Sequence, residues 1–286
     1  MDKKKLEVGI KCIALIVAFI LFFVVVSWAA DYDKGTDTTY DVVCLGDSNF
    51  GNTRDESSIT SLLGEKLDKN VLNAAFGGSL MTSVPGKKTE YHSVLSMHNM
   101  AISICNHNFG VQKAAIDTIA RTDYIGYFTE ALYELADVDF DSVELLLIEH
   151  GVNDYMGGVP IKNGADAYDT DTFCGSLRSV ITMLREEYPD LRIVLVTPAY
   201  CAPPGADGIY RPCDENRYGG GYLEDYVNAE LEVAEEMGVE IIDIYHLIEM
   251  DSESFSTYLY DGLHFNEYGR EIVADILADY LLGEAE

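Results

Sequence analysis

The stretch DVVCLGDSNFG, residues 41–51, joins a short apolar run to an abrupt polar end. Residues 42–45 are consecutively apolar, which is typical of a strand buried on both faces of a sheet. Gly46 and Asp47 end the run and leave Ser48 in the loop that follows. A serine in this position can act as a nucleophile only where a base lies within hydrogen-bond reach.

Four further segments read as strands: VLNAAFG (71–77), SVELLLIEHG (142–151), LRIVLVTPAY (191–200) and VEIIDIYHL (239–247). Helical spacing of apolar residues separates them, in residues 56–69, 172–189, 220–238 and 266–283. Apolar strands that alternate with helices predict an α/β fold, with a mostly parallel five-stranded sheet covered on both faces as a three-layer α/β/α sandwich. Residues 79–137 are expected to hold helices, one of them through residues 111–120, in a lid or insertion.

The amino terminus carries an apolar run, CIALIVAFILFFVVVSWAA, at residues 12–30. It is nearly long enough to cross a bilayer, and the lysines before it and acids after it place the amino terminus inside the cell. We therefore predict a membrane anchor at residues 1–30, a linker at 31–39 and one catalytic domain at 40–286. A signal peptide cleaved after Ala29 is the alternative. Either segment would export the remainder of the chain.

Composition limits the function further. The net charge of −30 argues against nucleic acid, which is bound through Lys and Arg. Cys201 and Cys213 flank a loop rich in Pro and Gly and could form a disulfide outside the cell, as could Cys105 and Cys174; the sequence does not fix the connectivity. Because C-x-x-C and HExxH motifs are absent from the sequence, we expect no metal and no cofactor. The sequence does not set the oligomeric state.

Ligands of parallel sheets bind outside the carboxyl ends of the strands. Polar or small residues occupy the predicted ends: Ser48, Gly77, Gly78, Asn153 and Asp154. Asp261 and His264 belong to the turn before the last predicted helix. Seven residues from four separate segments are therefore expected at one edge of the sheet.

These residues suffice for acyl transfer. His264 is the candidate base for Ser48, and Asp261, three residues earlier, would fix the imidazole tautomer and stabilise the imidazolium. The tetrahedral intermediate needs hydrogen-bond donors, which the Ser48 N–H, the Gly78 N–H and the Asn153 side-chain amide could supply. Asp47 is expected to bond loop amides instead of taking part in the chemistry.

Four motifs, in order GDSN, NAAFGG, GVND and DGLH, resemble the four blocks of the SGNH, or GDSL-type, hydrolase family. The resemblance covers roughly residues 40–283. It implies a flavodoxin-like sandwich with Ser48 as nucleophile, His264 as base, Asp261 as its orienter, and Gly78 and Asn153 as oxyanion donors. Asn49 replaces the leucine of the family name, and Ala75 replaces a glycine of many members, so Gly77 is the alternative donor to Gly78. Residues 151–189 resemble a bacterial branch that is linked to carbohydrate esters.

We therefore expect an extracytoplasmic serine esterase, anchored in the cell membrane, acting on short acyl esters such as acetylated carbohydrate. The alternatives are an acyltransferase for cell-wall sugars, a lipase or lysophospholipase, and a binding protein without catalysis. Four residues are expected to contact the small-molecule or polysaccharide substrate: Asn49, Gly77, Asp154 and His150. His150 has the alternative of a core histidine. Four tyrosines could stack on sugar or pack in loops: Tyr210, Tyr218, Tyr222 and Tyr226.

Overall fold

The computed structural model describes residues 39–83, 91–119 and 125–284. All of them belong to one compact unit that begins at Thr39. The predicted anchor and nearly all of the predicted linker lie outside the described residues. Within the described ranges, no helix combines the length and apolar character that crossing a bilayer requires.

Five parallel strands form a single sheet. They are β1 (Val42–Gly46), β2 (Val71–Asn73), β3 (Leu145–Glu149), β4 (Arg192–Val196) and β5 (Glu240–Ile242), in the spatial order β2-β1-β3-β4-β5. Every residue of β1 and β3 is buried, as their continuous apolar sequences predict. Successive strands are added first on one side of β1 and then on the other. This reversal opens a crevice at the carboxyl edge between β1 and β3.

Twelve α-helices lie within the described ranges: α1 (Ser48–Gly51), α2 (Ile59–Leu67), α3 (Tyr91–Val94), α4 (Met97–Cys105), α5 (Gly110–Thr118), α6 (Phe128–Ala136), α7 (Val152–Gly157), α8 (Phe173–Glu187), α9 (Leu223–Met237), α10 (Ile244–Leu247), α11 (Phe255–Tyr258) and α12 (Glu267–Leu282). One packed group joins α2 to α12, and a second joins α8 to α4 and α9. The sheet with helices around it confirms the predicted α/β/α class.

Local sequence explains where the long helices begin and end. Thr172 and Asn266 accept hydrogen bonds from the backbone N–H groups of Gly175 at 3.2 Å and Gly269 at 2.9 Å, which caps α8 and α12. Gly238 closes α9 with a φ of +58°, a conformation that glycine adopts without steric cost. These ends agree with the helices predicted from apolar spacing.

The described parts of the segment between β2 and β3 hold four of these helices, α3 to α6, as expected. Helix α5 covers most of the predicted helix at 111–120, although Ala120 lies outside the described residues. Helix α6 buries one apolar face, and its Phe128 packs edge-on against Phe76 with ring centroids 5.4 Å apart. This part of the segment therefore belongs to the main core and is not a separate lid.

Candidate active site

The turn between α11 and α12 is a tight hairpin. Leu259 and Phe265 pair in an antiparallel bridge, and the Tyr260 N–H donates to the His264 carbonyl oxygen at 3.0 Å. At the tip, Gly262 has a φ of +82°, and a Cβ on this residue would collide with a backbone carbonyl oxygen of the neighbouring loop. Glycine is therefore required for the chain to reverse this close to its neighbour.

The carboxylate of Asp261 organises this hairpin. One oxygen accepts the backbone N–H groups of Leu263 at 3.0 Å and His264 at 2.8 Å. The other oxygen lies 2.7 Å from His264 Nδ1. Burial alone would raise the pKa of Asp261, but the hydrogen bonds from the His264 ring and backbone outweigh burial and hold that pKa below its usual value. Asp261 is therefore ionised at neutral pH, and Nδ1 carries the proton that it accepts.

Ser48 lies at the other side of the site, two residues after the end of β1 at Gly46. It is the first residue of the short helix α1, and its Oγ lies 3.0 Å from His264 Nε2. Since Nδ1 is the protonated nitrogen, Nε2 is free to accept the Ser48 hydroxyl proton. The sheet and the hairpin thus bring Ser48 and His264, which are 216 positions apart, into one hydrogen-bonded row with Asp261.

Two backbone N–H groups, in the loops after β1 and β2, are the candidate oxyanion donors. The Ser48 N–H has no intrahelical acceptor because it begins α1. Gly77 donates its N–H to the Tyr127 hydroxyl at 2.9 Å, whereas no acceptor for the Gly78 N–H is found among the described residues. Gly78 has a φ of +75°, which favours glycine. Of the two alternatives from the sequence, Gly78 is therefore the better candidate for the oxyanion donor, because the Gly77 N–H is already bonded to the Tyr127 hydroxyl.

Asn153 differs from the expectation. Its Nδ2 donates to Asp47 Oδ2 at 2.9 Å and to the Ser79 carbonyl oxygen at 3.0 Å. An amide nitrogen has two hydrogens, so both have protein acceptors. Asn153 links the loops after β1 and β2, and it can serve an oxyanion only by sharing or releasing one of these bonds.

Asp47 lies beneath the nucleophile and is fully buried. Its Oδ1 accepts the Asn49 N–H at 2.9 Å, the loop-amide bond expected from the sequence. Burial raises the pKa of Asp47 to about 6, against the opposing effect of this bond and of the nearby His264. The Asp47 backbone N–H donates to Glu149 Oε2 at 3.5 Å. Burial and the neighbouring Asp47 charge raise the pKa of Glu149 well above its usual value.

Two of the predicted substrate contacts are buried in the fold. Asp154 is fully buried and accepts the N–H groups of Met81 at 2.8 Å and Thr82 at 3.1 Å; burial raises its pKa to about 7. His150 is 2% exposed, and burial lowers its pKa to about 3. The Asp154 carboxylate therefore holds the loop after β2 and does not face a substrate, which corrects the expectation for it. His150 takes its alternative, that of a buried core histidine.

The other residues predicted to contact substrate, Asn49 and the four tyrosines, differ in burial. Asn49 is buried beside Ser48, and its Oδ1 has no partner among the described residues. Tyr226 is fully buried, whereas Tyr210, Tyr218 and Tyr222 are exposed at the surface. Across the described ranges, no cluster of three or more His, Cys, Asp or Glu side chains could hold a metal ion.

The cysteines named in the sequence analysis are free thiols. The Cys201 N–H lies 3.4 Å from Cys213 Sγ, and the Cys213 N–H donates to the Cys201 carbonyl oxygen at 2.9 Å. Cys105 and Cys174 are also free. The loop flanked by Cys201 and Cys213 therefore closes with its two thiols adjacent, and their oxidation stays a prediction.

Tyr127 and Tyr260 were missed by sequence reasoning. Tyr127 comes from the segment between β2 and β3 and holds the Gly77 N–H. No local pattern marks it, because the contact spans 50 residues. Tyr260 immediately precedes Asp261, and its ring stacks on His264. A hairpin predicted over residues 259–265 would have placed Tyr260 opposite His264.

A parallel α/β sandwich with serine, histidine and aspartate in one hydrogen-bonded row is typical of serine hydrolases. Residues 44–272 match the GDSL-like Lipase/Acylhydrolase family. Because this match spans most of the chain, the protein belongs to that family.

Individual relatives match this chain over only part of its length and at modest sequence identity. The protein named isoamyl acetate-hydrolyzing esterase 1 homolog from Bos taurus is 32% identical over 136 residues, which cover 46% of this chain and 53% of the relative. The chain spans about half the length of the curated relatives it matches.

Solved structures agree in fold. A structure from Lactobacillus plantarum has a TM-score of 0.60 at 18% identity and covers 86% of this chain and 98% of that one. A structure from Chitinophaga pinensis described as a "possible lipase" has a TM-score of 0.56 at 18% identity and covers 85% and 99%. At these identities the similarity extends to the fold alone.

Proposed function

We propose that the protein is an extracytoplasmic esterase that removes short acyl groups, acetyl foremost, from alcohols that include carbohydrate. The observation that carries the proposal is the row Ser48–His264–Asp261, with separations of 3.0 and 2.7 Å. These distances lie within the range required of a nucleophile and its base.

In the acylation half, Ser48 Oγ attacks the ester carbonyl carbon while its proton moves to His264 Nε2. The new C–O bond pushes the carbonyl electron pair onto oxygen, and the Ser48 and Gly78 N–H groups donate hydrogen bonds to the resulting oxyanion. Each such donor stabilises the transition state by about 3 kcal/mol. The bond to the alcohol then breaks, the alkoxide takes the proton from Nε2, and the acyl group stays on Ser48.

In the deacylation half, water takes the place of the departed alcohol. Nε2 accepts a proton from this water as the water oxygen attacks the acyl carbon, and the same N–H groups donate hydrogen bonds to the oxyanion. When the bond to Ser48 Oγ breaks, Nε2 returns the proton to Oγ and the carboxylic acid leaves. Asp261 stays ionised throughout and stabilises the imidazolium in both halves.

The substrate part of the proposal has two supports. The name of the bovine relative describes an acetate ester as substrate, which favours a short acyl group. The likeness of residues 151–189 to a carbohydrate-ester branch favours a sugar as the alcohol. Both are arguments from similarity and are independent of the triad geometry.

The direct experiment compares the full chain with its Ser48→Ala variant on nitrophenyl acetate, octanoate and palmitate. We expect fastest turnover of the acetate and loss of more than about 10³-fold in the variant. A matched control is Ser142→Ala, which alters an exposed serine far from the site. Turnover of acetate by Ser48→Ala equal to that of the wild type would contradict the proposal, and faster turnover of palmitate would identify a lipase instead.

The location is tested separately. The apolar run at residues 12–30 supports an anchor with the catalytic domain outside the cell. In cells that express the full chain, we expect it to sediment with membranes and to be digested by protease added outside. Protection of the catalytic domain in intact cells would contradict this part of the proposal and leave the esterase activity unaffected.

A further inference from the structure

We propose that Tyr260 forms one wall of the subsite for the leaving alcohol and selects alcohols that present a flat apolar face. The proposal rests on the proposed function of Ser48 and His264, and it names a substrate class for that site. The flat face can belong to an aromatic ring or to the C–H side of a sugar ring.

The hairpin itself places Tyr260 against the catalytic imidazole. Tyr260 and His264 are opposite each other across the hairpin, with the Tyr260 N–H bonded to the His264 carbonyl oxygen at 3.0 Å. Residues opposite in a hairpin project from the same face. The two rings are stacked, with centroids 5.8 Å apart and planes inclined by 23°.

The two rings differ in their exposure to solvent. The Tyr260 residue is 61% exposed, while the His264 side chain is only 15% exposed. Tyr260 therefore covers the imidazole on one side and offers a large surface to solvent. A single exposed aromatic residue is ordinary, and its position beside His264 is what gives this one a role.

The chemistry fixes where the alcohol lies. Its oxygen must come within about 3 Å of His264 Nε2, because that nitrogen delivers the proton that releases it. The carbonyl oxygen must point away from Nε2, toward the Ser48 and Gly78 N–H groups. The carbon skeleton of the alcohol is thus confined to the His264 side of the site. Among the described residues, the exposed ring that stacks on His264 is that of Tyr260.

The shape of the Tyr260 ring determines which alcohols bind more tightly through this contact. A phenol ring offers dispersion contacts to a flat partner, with a typical gain of about 2- to 10-fold in affinity. An aryl alcohol or a pyranose presents such a face, whereas ethanol reaches little of the ring. The acyl group lies on the other side of the scissile bond and does not touch Tyr260.

The test measures kcat/KM on three acetate esters: ethyl acetate, benzyl acetate and a monoacetylated methyl glucoside. We expect Tyr260→Ala to lose about 3- to 10-fold on the benzyl ester, the glucoside or both, and less than about 2-fold on ethyl acetate. Tyr260→Phe should retain the wild-type preference. Loss on one of the two bulky esters alone identifies which flat alcohol the subsite accepts.

The matched control is Tyr268→Ala. Tyr268 is 49% exposed and stacks on Tyr258 with centroids 5.6 Å apart, but it lies on α12 and not beside the imidazole. We expect no change in alcohol preference. Replacing acetate by butyrate in the benzyl ester should leave the Tyr260→Ala loss unchanged, since the acyl side is not touched.

Two outcomes would overturn the proposal. If Tyr260→Ala lost kcat/KM equally on all three esters, the ring would only hold His264, because the proton transfers of His264 during acylation are common to the three esters. If it lost activity on none, the ring would not meet the alcohol. Both outcomes differ from failure of the esterase proposal itself, in which Ser48→Ala would stay active.

Discussion

Two aspartates flank Ser48, and their environments move their pKa values in opposite directions. The Asp261 side chain is 39% exposed, accepts hydrogen bonds from two backbone N–H groups and from His264, and has a lowered pKa. Asp47 is fully buried beside a second carboxyl group, that of Glu149, and burial raises its pKa to about 6. The two carboxyl groups are chemically identical, so the surrounding protein alone makes the difference.

The difference matches what each carboxyl group has to do. Asp261 must stay charged when His264 becomes an imidazolium, and partial contact with water together with several donors keeps it charged. Asp47 instead connects loops, through the Asn49 N–H and the Asn153 amide. Asp47 can perform this role when it is buried and partly protonated, because a protonated carboxyl group can still accept hydrogen bonds.

The largest expected effect is that of Asp261→Asn. An amide nitrogen facing Nδ1 cannot accept its proton, so the imidazole would take the tautomer that cannot accept from Ser48. We expect kcat to fall by on the order of 10³- to 10⁴-fold with little change in KM, measured on nitrophenyl acetate. A loss of less than about 10-fold would remove Asp261 from the catalytic row.

Asp251→Asn provides the matched control. Asp251 accepts the N–H groups of Glu253 at 3.0 Å and Ser254 at 2.8 Å, the same local pattern that Asp261 makes with Leu263 and His264. Asp251 has no imidazole partner at that turn. Wild-type kcat in Asp251→Asn would assign the Asp261 effect to His264 and not to loss of a turn-forming carboxylate.

A smaller effect is expected for Asp47→Ala. The substitution leaves the Asn153 amide and the Asn49 N–H without their acceptor, at a cost of about 1–3 kcal/mol in the free energy of unfolding. We expect kcat to fall by about 10- to 100-fold, since the loops that carry Ser48 and Gly78 lose their link. Chemical denaturation and steady-state kinetics measure the two effects.

A double-mutant cycle sharpens this prediction. If Asp47 acts through Asn153, the loss in Asp47→Ala combined with Asn153→Ala should be clearly smaller than the sum of the single losses. Additive losses would mean that the two residues act independently. In that case the hydrogen bond of 2.9 Å between Asp47 and Asn153 would not be the cause of the lost activity.

The smallest expected effect is on stability against pH. A carboxyl group with a raised pKa in the folded state binds its proton more tightly when folded, so its contribution to stability is present at low pH and lost as pH rises through that raised pKa. For Asp47 the window runs from about 4, the unfolded value, to about 6. We expect the free energy of unfolding to be roughly 1–3 kcal/mol lower at pH 8 than at pH 5.

Glu149→Gln tests the cause of that dependence. The glutamine side-chain oxygen can accept the Asp47 N–H in place of Glu149 Oε2, but glutamine does not titrate. The fall in stability between pH 5 and pH 8 should therefore become smaller while activity is retained. Glu65→Gln, at an exposed position of α2, is the control and should leave the dependence unchanged. An unchanged dependence in Glu149→Gln would exclude the buried carboxyl pair as its source.

The predictable parts of the molecule are those determined by short stretches of sequence. The apolar runs that become β1 and β3 indicate burial on both faces by themselves, which leads to the parallel sheet. Asp261 and His264 are three residues apart, so the local turn suffices to bring them together. Ser48 then follows from the end of β1 and the topology of the sheet.

The parts that were missed depend on distant contacts. The bond from Asn153 to Asp47 spans 106 residues, and nothing near either residue shows that both amide hydrogens are taken. Asp154 follows Asn153 directly, but the turn of α7 directs it inward, onto the backbone of Met81 and Thr82. Adjacency in sequence therefore did not decide which side chain faces the site.

The central claim is that Ser48 is the nucleophile activated by His264. The most direct measurement is reaction of the full chain with a fluorophosphonate, followed by intact mass and peptide mapping. We predict one phosphonyl adduct, located on Ser48, which is lost in Ser48→Ala and forms at least about 10²-fold more slowly in His264→Ala. An adduct on another residue, or equal labelling of folded Ser48→Ala, would contradict the account.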